Sequence, residues 1–144
     1  MGSSLRENRR YEDEVEHEIM ITKDFYIGKY EITQSQYLAV AGNNPSEFSK
    51  KGKSSDSVKY FNTDEFPVEM ITWNDAVAFT KVLSKDSGLS VSLPTEAQWE
   101  YACRAGSGTP FSFGSICNGE YANCTGKPYG TEITNAMLVR TTKV

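Results

Sequence analysis

Histidine is nearly missing from this chain. His17 is the only one, set between Glu16 and Glu18 in a polar segment, where it reads as a solvated side chain. A lone histidine in such a tail argues against a Ser-His-Asp or Cys-His catalytic pair. Cysteine is scarce too: Cys103, Cys117 and Cys124 are an odd number at irregular spacing. They form neither the paired ligands of a zinc site nor the even count of a disulfide framework, and one bridge plus one free thiol stays open. No apolar run approaches the roughly 18 residues of a membrane-spanning helix, and none follows Met1 as in a secretory signal. Positive charge is not in excess either, with 15 Lys and Arg against 19 Asp and Glu and a net charge of −4. Mixed along the chain, that balance gives no electrostatic basis for binding nucleic acid or an anionic membrane. Phosphate-binding glycine loops, H-E-x-x-H and G-x-S-x-G are all absent.

What remains is the composition of a globular domain. The 144 residues are 38% hydrophobic and 12% aromatic, enough for one core. A chain of this size buries roughly 68–70% of the surface its unfolded form exposes. Residues 1–18 are charged and expected to be irregular. Residues 18–33, EIMITKDFYIGKYEIT, are rich in Ile, Phe, Tyr and Thr and partly alternate, which predicts a strand with Gly28 at a bulge. Thr33 and Gln36 have capping-box spacing, so a short helix through Tyr37, Leu38 and Val40 should end near Gly42. Residues 42–68 are polar and turn-rich, with Asn43-Asn44-Pro45 a strong turn signal. A solvated loop is the first reading there, and a binding surface the second.

Two further helices follow. Over 72–87, Thr72 caps and Asp75 sits at the third helical position, while Trp73, Ala76, Val77, Thr80, Val82 and Leu83 make an apolar stripe widened by Phe79. Gly88 ends it. Over 95–105, the run LPTEAQWEYACRAG places Thr95 and Gln98 in a capping box and Gly106 at the stop. Trp99, Ala102 and Cys103 share a face there, so Cys103 reads as a buried small hydrophobe. Glu100 and Arg104 form an i, i+4 pair worth about 0.2–0.5 kcal/mol if exposed. Glu96 and Glu100 can also be read as paired carboxylates, but helix-dipole and ion-pair roles account for both. The expected core packs Trp73, Phe79, Leu83, Trp99 and Tyr101 against the strand at 25–33. After Gly106 the chain turns loop-rich, and Asn118, Glu120 and Asn123 are oxygen donors of the kind calcium takes. No internal repeat and no linker divides the chain.

The order of these segments resembles the formylglycine-generating enzyme family, the sulfatase-modifying factors. The family runs approximately F-x-M-G-S, H-x-V, F-Y-I-G-x-Y-E-V-T, N-P-S-x-F, P-V-x-x-V-S-W-x-D-A, R-L-P-T-E-A-E-W-E-Y-A-x-R-G-G and Y-A-N. Here these become Met1 to Ser3, His17 to Ile19, Phe25 to Thr33, Asn44 to Phe48, Pro67 to Ala76, Ser92 to Gly106 and Tyr121 to Asn123.

The resemblance implies an α+β domain of the C-type-lectin-like class, with two main helices, short twisted sheets and much irregular loop. It implies a parent that oxidises a cysteine of a sulfatase polypeptide, or of another protein substrate, to formylglycine with oxygen and copper. The family's later segments, of the type G-L-Y-D-M-x-G-N-V-W-E-W and R-G-G-S-W, do not occur, and the copper-binding cysteine pair belongs to that part. Residues 1–144 are therefore expected to be the N-terminal portion of such a domain, without its C-terminal catalytic half and without turnover of its own. By itself such a portion is expected to leave apolar surface uncovered and to be marginally stable. No catalytic residue carries over. One metal assignment does: in some members the asparagine of Y-A-N binds calcium through its side chain and the next residue through its carbonyl, which here are Asn123 and Cys124. No aspartate lies in 127–144 to complete that set. Two other readings remain, a non-catalytic binding or structural member of the fold and a relative of the non-haem-iron sulfoxide synthases. The lone histidine weighs against the second.

Overall fold

Three threonines start the three longest helices. In the computed structural model, whose described residues are 1–144 except 6, 8, 9, 125–127, 134 and 136, α1 spans Gln34–Ala41, α2 Ser55–Val58, α3 Trp73–Ser87 and α4 Glu96–Arg104. A 3₁₀ turn covers Thr63–Glu65. Thr33, Thr72 and Thr95 each accept a hydrogen bond from the third helical N–H, from Gln36, Asp75 and Gln98 respectively. Each of those side chains returns a bond to the capping N–H, at 2.9, 2.8 and 2.9 Å. Two otherwise unpaired donors are thus satisfied at each helix start, a cap worth about 1 kcal/mol. Asp75 is held below the ordinary carboxylate pKa, first by the Thr72 hydroxyl and then by the Thr72 N–H.

The helix ends are as local as the starts. Gly42 and Gly88 take the left-handed conformation at φ 78° and 72° and close α1 and α3. α4 stops one residue before the expected glycine: Ala105 itself is left-handed at φ 49°, with Gly106 following at 82°. A non-glycine residue there costs about 1–2 kcal/mol, which the surrounding bonds offset.

The described residues gather into two compact units, interleaved along the sequence. One comprises Met1–Ile27 and Pro94–Met137, the other Gly28–Leu93 and Leu138–Val144. The second holds the apolar core. Tyr37 of α1 stacks on Phe79 of α3 with ring centroids 5.2 Å apart and planes 7° from parallel. Val58 and Phe66 are buried with them. The α3 stripe is present, centred on the buried Phe79 and Thr80, with Ala76, Val77 and Leu83 half-buried beside them. Trp73 at its N-terminal end is 71% exposed and does not join the core. The last residues also pack in this unit: Lys143 pairs with Glu65 at 2.9 Å, and Arg140 lies 4.1 Å over the Phe61 ring.

The strand expected over 18–33 does not form. Residues 18–27 belong to one unit and 28–33 to the other, and a strand exists only where a neighbour completes its ladder. Only its end finds one, through Gln34 N–H to the Phe66 carbonyl and Val68 N–H to the Ile32 carbonyl, both 2.8 Å. Gly28 consequently has no ladder in which to bulge. Among the described residues, β pairing is confined to four isolated bridges, so the architecture is helical with little strand.

α4 also presents a different face inward from the one expected. Trp99, Tyr101 and Cys103 are exposed, while Glu100 and Arg104 are half-buried. Successive helical residues are rotated by about 100°, so turning the Glu100–Arg104 row toward the unit turns Trp99 and Cys103, one position earlier, away from it. Tyr101 keeps one aromatic neighbour in its unit, an edge contact with Phe25 at 6.5 Å. No helix among the described residues is long and apolar enough to cross a membrane.

Candidate functional site

The polar stretch after α1 is not a slack loop. Gln34, at 1% exposure, donates from Nε2 to the Phe48 carbonyl and accepts from Asn44 Nδ2, at 3.1 and 3.0 Å. Asn44 Oδ1 accepts the Ser46 N–H at 3.1 Å, and Ser49 Oγ donates to the Ser46 carbonyl at 2.7 Å. Glu69 then closes the set: its two oxygens accept the Glu47 and Phe48 N–H groups at 3.0 and 2.9 Å, and its own N–H donates to Ser46 Oγ at 3.2 Å. Gly52 runs so close to the Ser46 and Glu47 carbonyls that any Cβ would overlap them. The segment Asn44 to Phe48 is thereby fastened by groups from α1 and from the residues before α3.

A second clamp lies in the other unit. Gly2 N–H donates to both Glu100 oxygens, at 3.0 and 3.2 Å, and the Gly2 carbonyl accepts from Arg104 Nη2 at 2.9 Å. Arg104 Nε joins the two side chains by donating to Glu100 Oε1 at 2.8 Å. One residue is gripped through both its backbone donor and its backbone acceptor by an i, i+4 ion pair. Gly2 adopts φ 91°, and a Cβ there would meet the Val15 carbonyl oxygen at 2.5 Å. Burial works against the charge on Glu100, but the Arg104 hydrogen bond, the Gly2 N–H and the nearby positive charges outweigh it and lower its pKa. Glu100 thus makes the ion pair with Arg104 that its spacing predicts, and Glu96 is exposed.

A pH dependence follows from that shift. A carboxyl with a lowered native pKa contributes stability that is fully present above its ordinary value of 4.5 and is lost as pH falls through the native value. Glu100→Gln is expected to cost about 1 kcal/mol at neutral pH. That difference from the wild type should shrink on acidification below the ordinary carboxylate range. Urea titrations at several pH values check it, and a pH-independent difference would refute the assignment.

The third feature is the loop around Cys117. Its backbone pairs both ways with Tyr129, at 3.1 and 2.8 Å. Asn118, buried, accepts the Glu120 N–H on Oδ1 at 3.2 Å and the Asn135 N–H on its carbonyl at 2.9 Å. Cys117 Sγ stands 3.8 Å from Cys124 Sγ, and both residues are half-buried. Burial raises the Cys117 pKa, and Cys124 pushes it further the same way. Asn123 is exposed.

For calcium, the stretch 118–124 offers two asparagine side chains, Glu120 and backbone carbonyls, with Asn118 Oδ1 already accepting an N–H. Calcium takes about six to eight oxygens, and no group of three or more His, Cys, Asp or Glu side chains among the described residues could hold a metal ion.

Residues 1–141 match the family described as sulfatase-modifying factor enzyme 1-like domain. The chain belongs to that family. Chaperone protein LppX of Paenibacillus barcinonensis is 33% identical over a 116-residue alignment covering 58% of this chain and 37% of that protein. The formylglycine-generating enzyme of Bos taurus is 48% identical over 42 residues, 29% of this chain and 10% of the enzyme. That of Mus musculus is 50% identical over 40 residues, 28% and 9% of the respective chains. The chain thus spans well under half the length of these relatives. No solved structure matches it significantly.

Within the sulfatase-modifying factor pattern, the two clamps acquire a common sense. The Met1–Ser3 segment is held by the Ser92–Gly106 segment, and Asn44–Phe48 by the Pro67–Ala76 segment. Sequence reading missed Glu69 and Gln34, and it assigned Arg104 only its helical partner. Their signal was available in kind, since each lies inside or just beside a family segment, but nothing in linear spacing says which segment it will grip.

Proposed function

We propose that this chain is scaffold for a formylglycine-generating domain of C-type-lectin-like class, and that the whole protein oxidises a cysteine of a sulfatase polypeptide to formylglycine with oxygen and copper. The observation that carries this reading is the family match over residues 1–141, to which the enzymes of cattle and mouse add local identities near one half. The family segments present here spend their polar groups on holding one another, through Glu69 and through Glu100 with Arg104. Such a division supports a positioning role for these residues, with the redox chemistry carried by other parts of the protein. Trp73, Trp99 and Tyr101, all exposed, are apolar surface that further segments of the domain would cover.

The test is oxygen uptake by the full-length protein with copper and a sulfatase-derived cysteine peptide. Conversion of the peptide cysteine to an aldehyde, with loss of turnover on copper removal, is the expected outcome. Absence of aldehyde at saturating copper overturns the enzymatic reading. A non-catalytic binding member of the family is then favoured, a second reading supported by the match to a protein named as a chaperone. That reading predicts substoichiometric or stoichiometric protection of an unfolded client from aggregation and no oxygen consumption.

A further inference from the structure

We propose that Cys117 and Cys124 form a redox pair that closes to an intramolecular disulfide, with Cys103 left outside it. The two sulfurs stand 3.8 Å apart, in contact but not bonded, a bond being roughly 2.05 Å. Their approach is built by the fold rather than by chance proximity along the chain. Cys117 is fixed by the paired hydrogen bonds to Tyr129, and Asn118 beside it is held by Asn135 and by its own bond to the Glu120 N–H. Gly119 takes φ 87°, turning the chain back so that Cys124 returns to Cys117. Cys103 is exposed on α4 and makes no sulfur contact among the described residues.

The oxidant required is a low-molecular-weight disulfide, RSSR. The Cys124 thiolate attacks one sulfur, forming Cys124–S–S–R and expelling one RS⁻. Cys117 then gives up its proton and attacks the Cys124 sulfur, expelling the second RS⁻. Two protein thiols are oxidised, one RSSR is reduced, and the two protons leave on the two RSH products. The bond would staple the segment from Asn118 to Asn123 onto the Tyr129 pairing, and it is independent of whether the parent is an oxidase.

The full chain, equilibrated in a graded series of oxidised and reduced glutathione, is the material for the test. Intact mass should show the loss of two hydrogens in the wild type and in Cys103→Ser, and digestion should yield a Cys117–Cys124 linked peptide. Cys117→Ser and Cys124→Ser should instead accumulate a mixed glutathione disulfide on the remaining partner. The bridge should be favoured at least about tenfold over the same chain in denaturing guanidinium, equivalent to about 30 mV. Equal equilibria in native and denatured chain, a bridge to Cys103, or stable adducts on both thiols would each overturn the proposal. The native-against-denatured comparison uses wild-type protein alone, so its outcome holds even where a variant fails to fold.

Discussion

Phe79→Ala is expected to lower folding stability by about 3–5 kcal/mol, the range for deleting a buried aromatic ring. Phe79 is 7% exposed and stacks on Tyr37, so truncation removes both apolar burial and the ring contact that joins α1 to α3. Beside it, Trp73→Ala is the control. Trp73 belongs to the same helix and is larger, yet at 71% exposure its loss should cost no more than about 0.5 kcal/mol. Chemical denaturation of the two variants against wild type, followed by far-UV circular dichroism, decides between them. Equal losses would mean that the apolar stripe, as read from spacing alone, describes the core better than the fold does.

The second large effect is expected at Glu69. Glu69→Ala leaves the Glu47 and Phe48 N–H groups without their acceptor. A hydrogen bond to a charged group is worth about 1.5–3 kcal/mol, and some water will reach this half-exposed site, so the expected loss is on the order of 3 kcal/mol. Glu69→Gln keeps one carbonyl oxygen and should lose about half as much. Amide exchange locates the effect: protection at residues 47 and 48 should fall in both variants by more than at α4 amides. Retained protection at those two positions would show that the Asn44–Phe48 segment is held by Gln34 and Asn44 without the carboxylate. Because the described residues form two compact units, coincidence of probes must be checked before a single unfolding free energy is assigned.

Legibility divides along the reach of the interactions. The Thr33–Gln36, Thr72–Asp75 and Thr95–Gln98 boxes are contacts three residues apart, and their chemistry is complete within the segment that contains it. Residues 18–33 carry strand composition in equal measure, but a strand's donors and acceptors are satisfied only by another segment, and here that segment reaches no further than Phe66 to Val68. The stretch 42–68 looked polar because it is polar. What linear order could not disclose is that Asn44 to Ser49 bond to one another, to Gln34 and to Glu69, while the charged side chains from Lys50 to Glu65 stay exposed.

By itself the sequence determined α1, α3 and α4 with their threonine caps, the glycine stops at Gly42 and Gly88, the Glu100–Arg104 pair and, through seven ordered segments, the family. Tertiary structure alone decided that α4 turns its charged row inward and its tryptophan outward, that Gly2 is the residue this pair grips, and that Cys124 comes back to Cys117 while Cys103 does not. The reason is range: capping and i, i+4 bonds close within one helical turn, whereas which face is buried depends on a neighbour contributed from as far as 102 residues away.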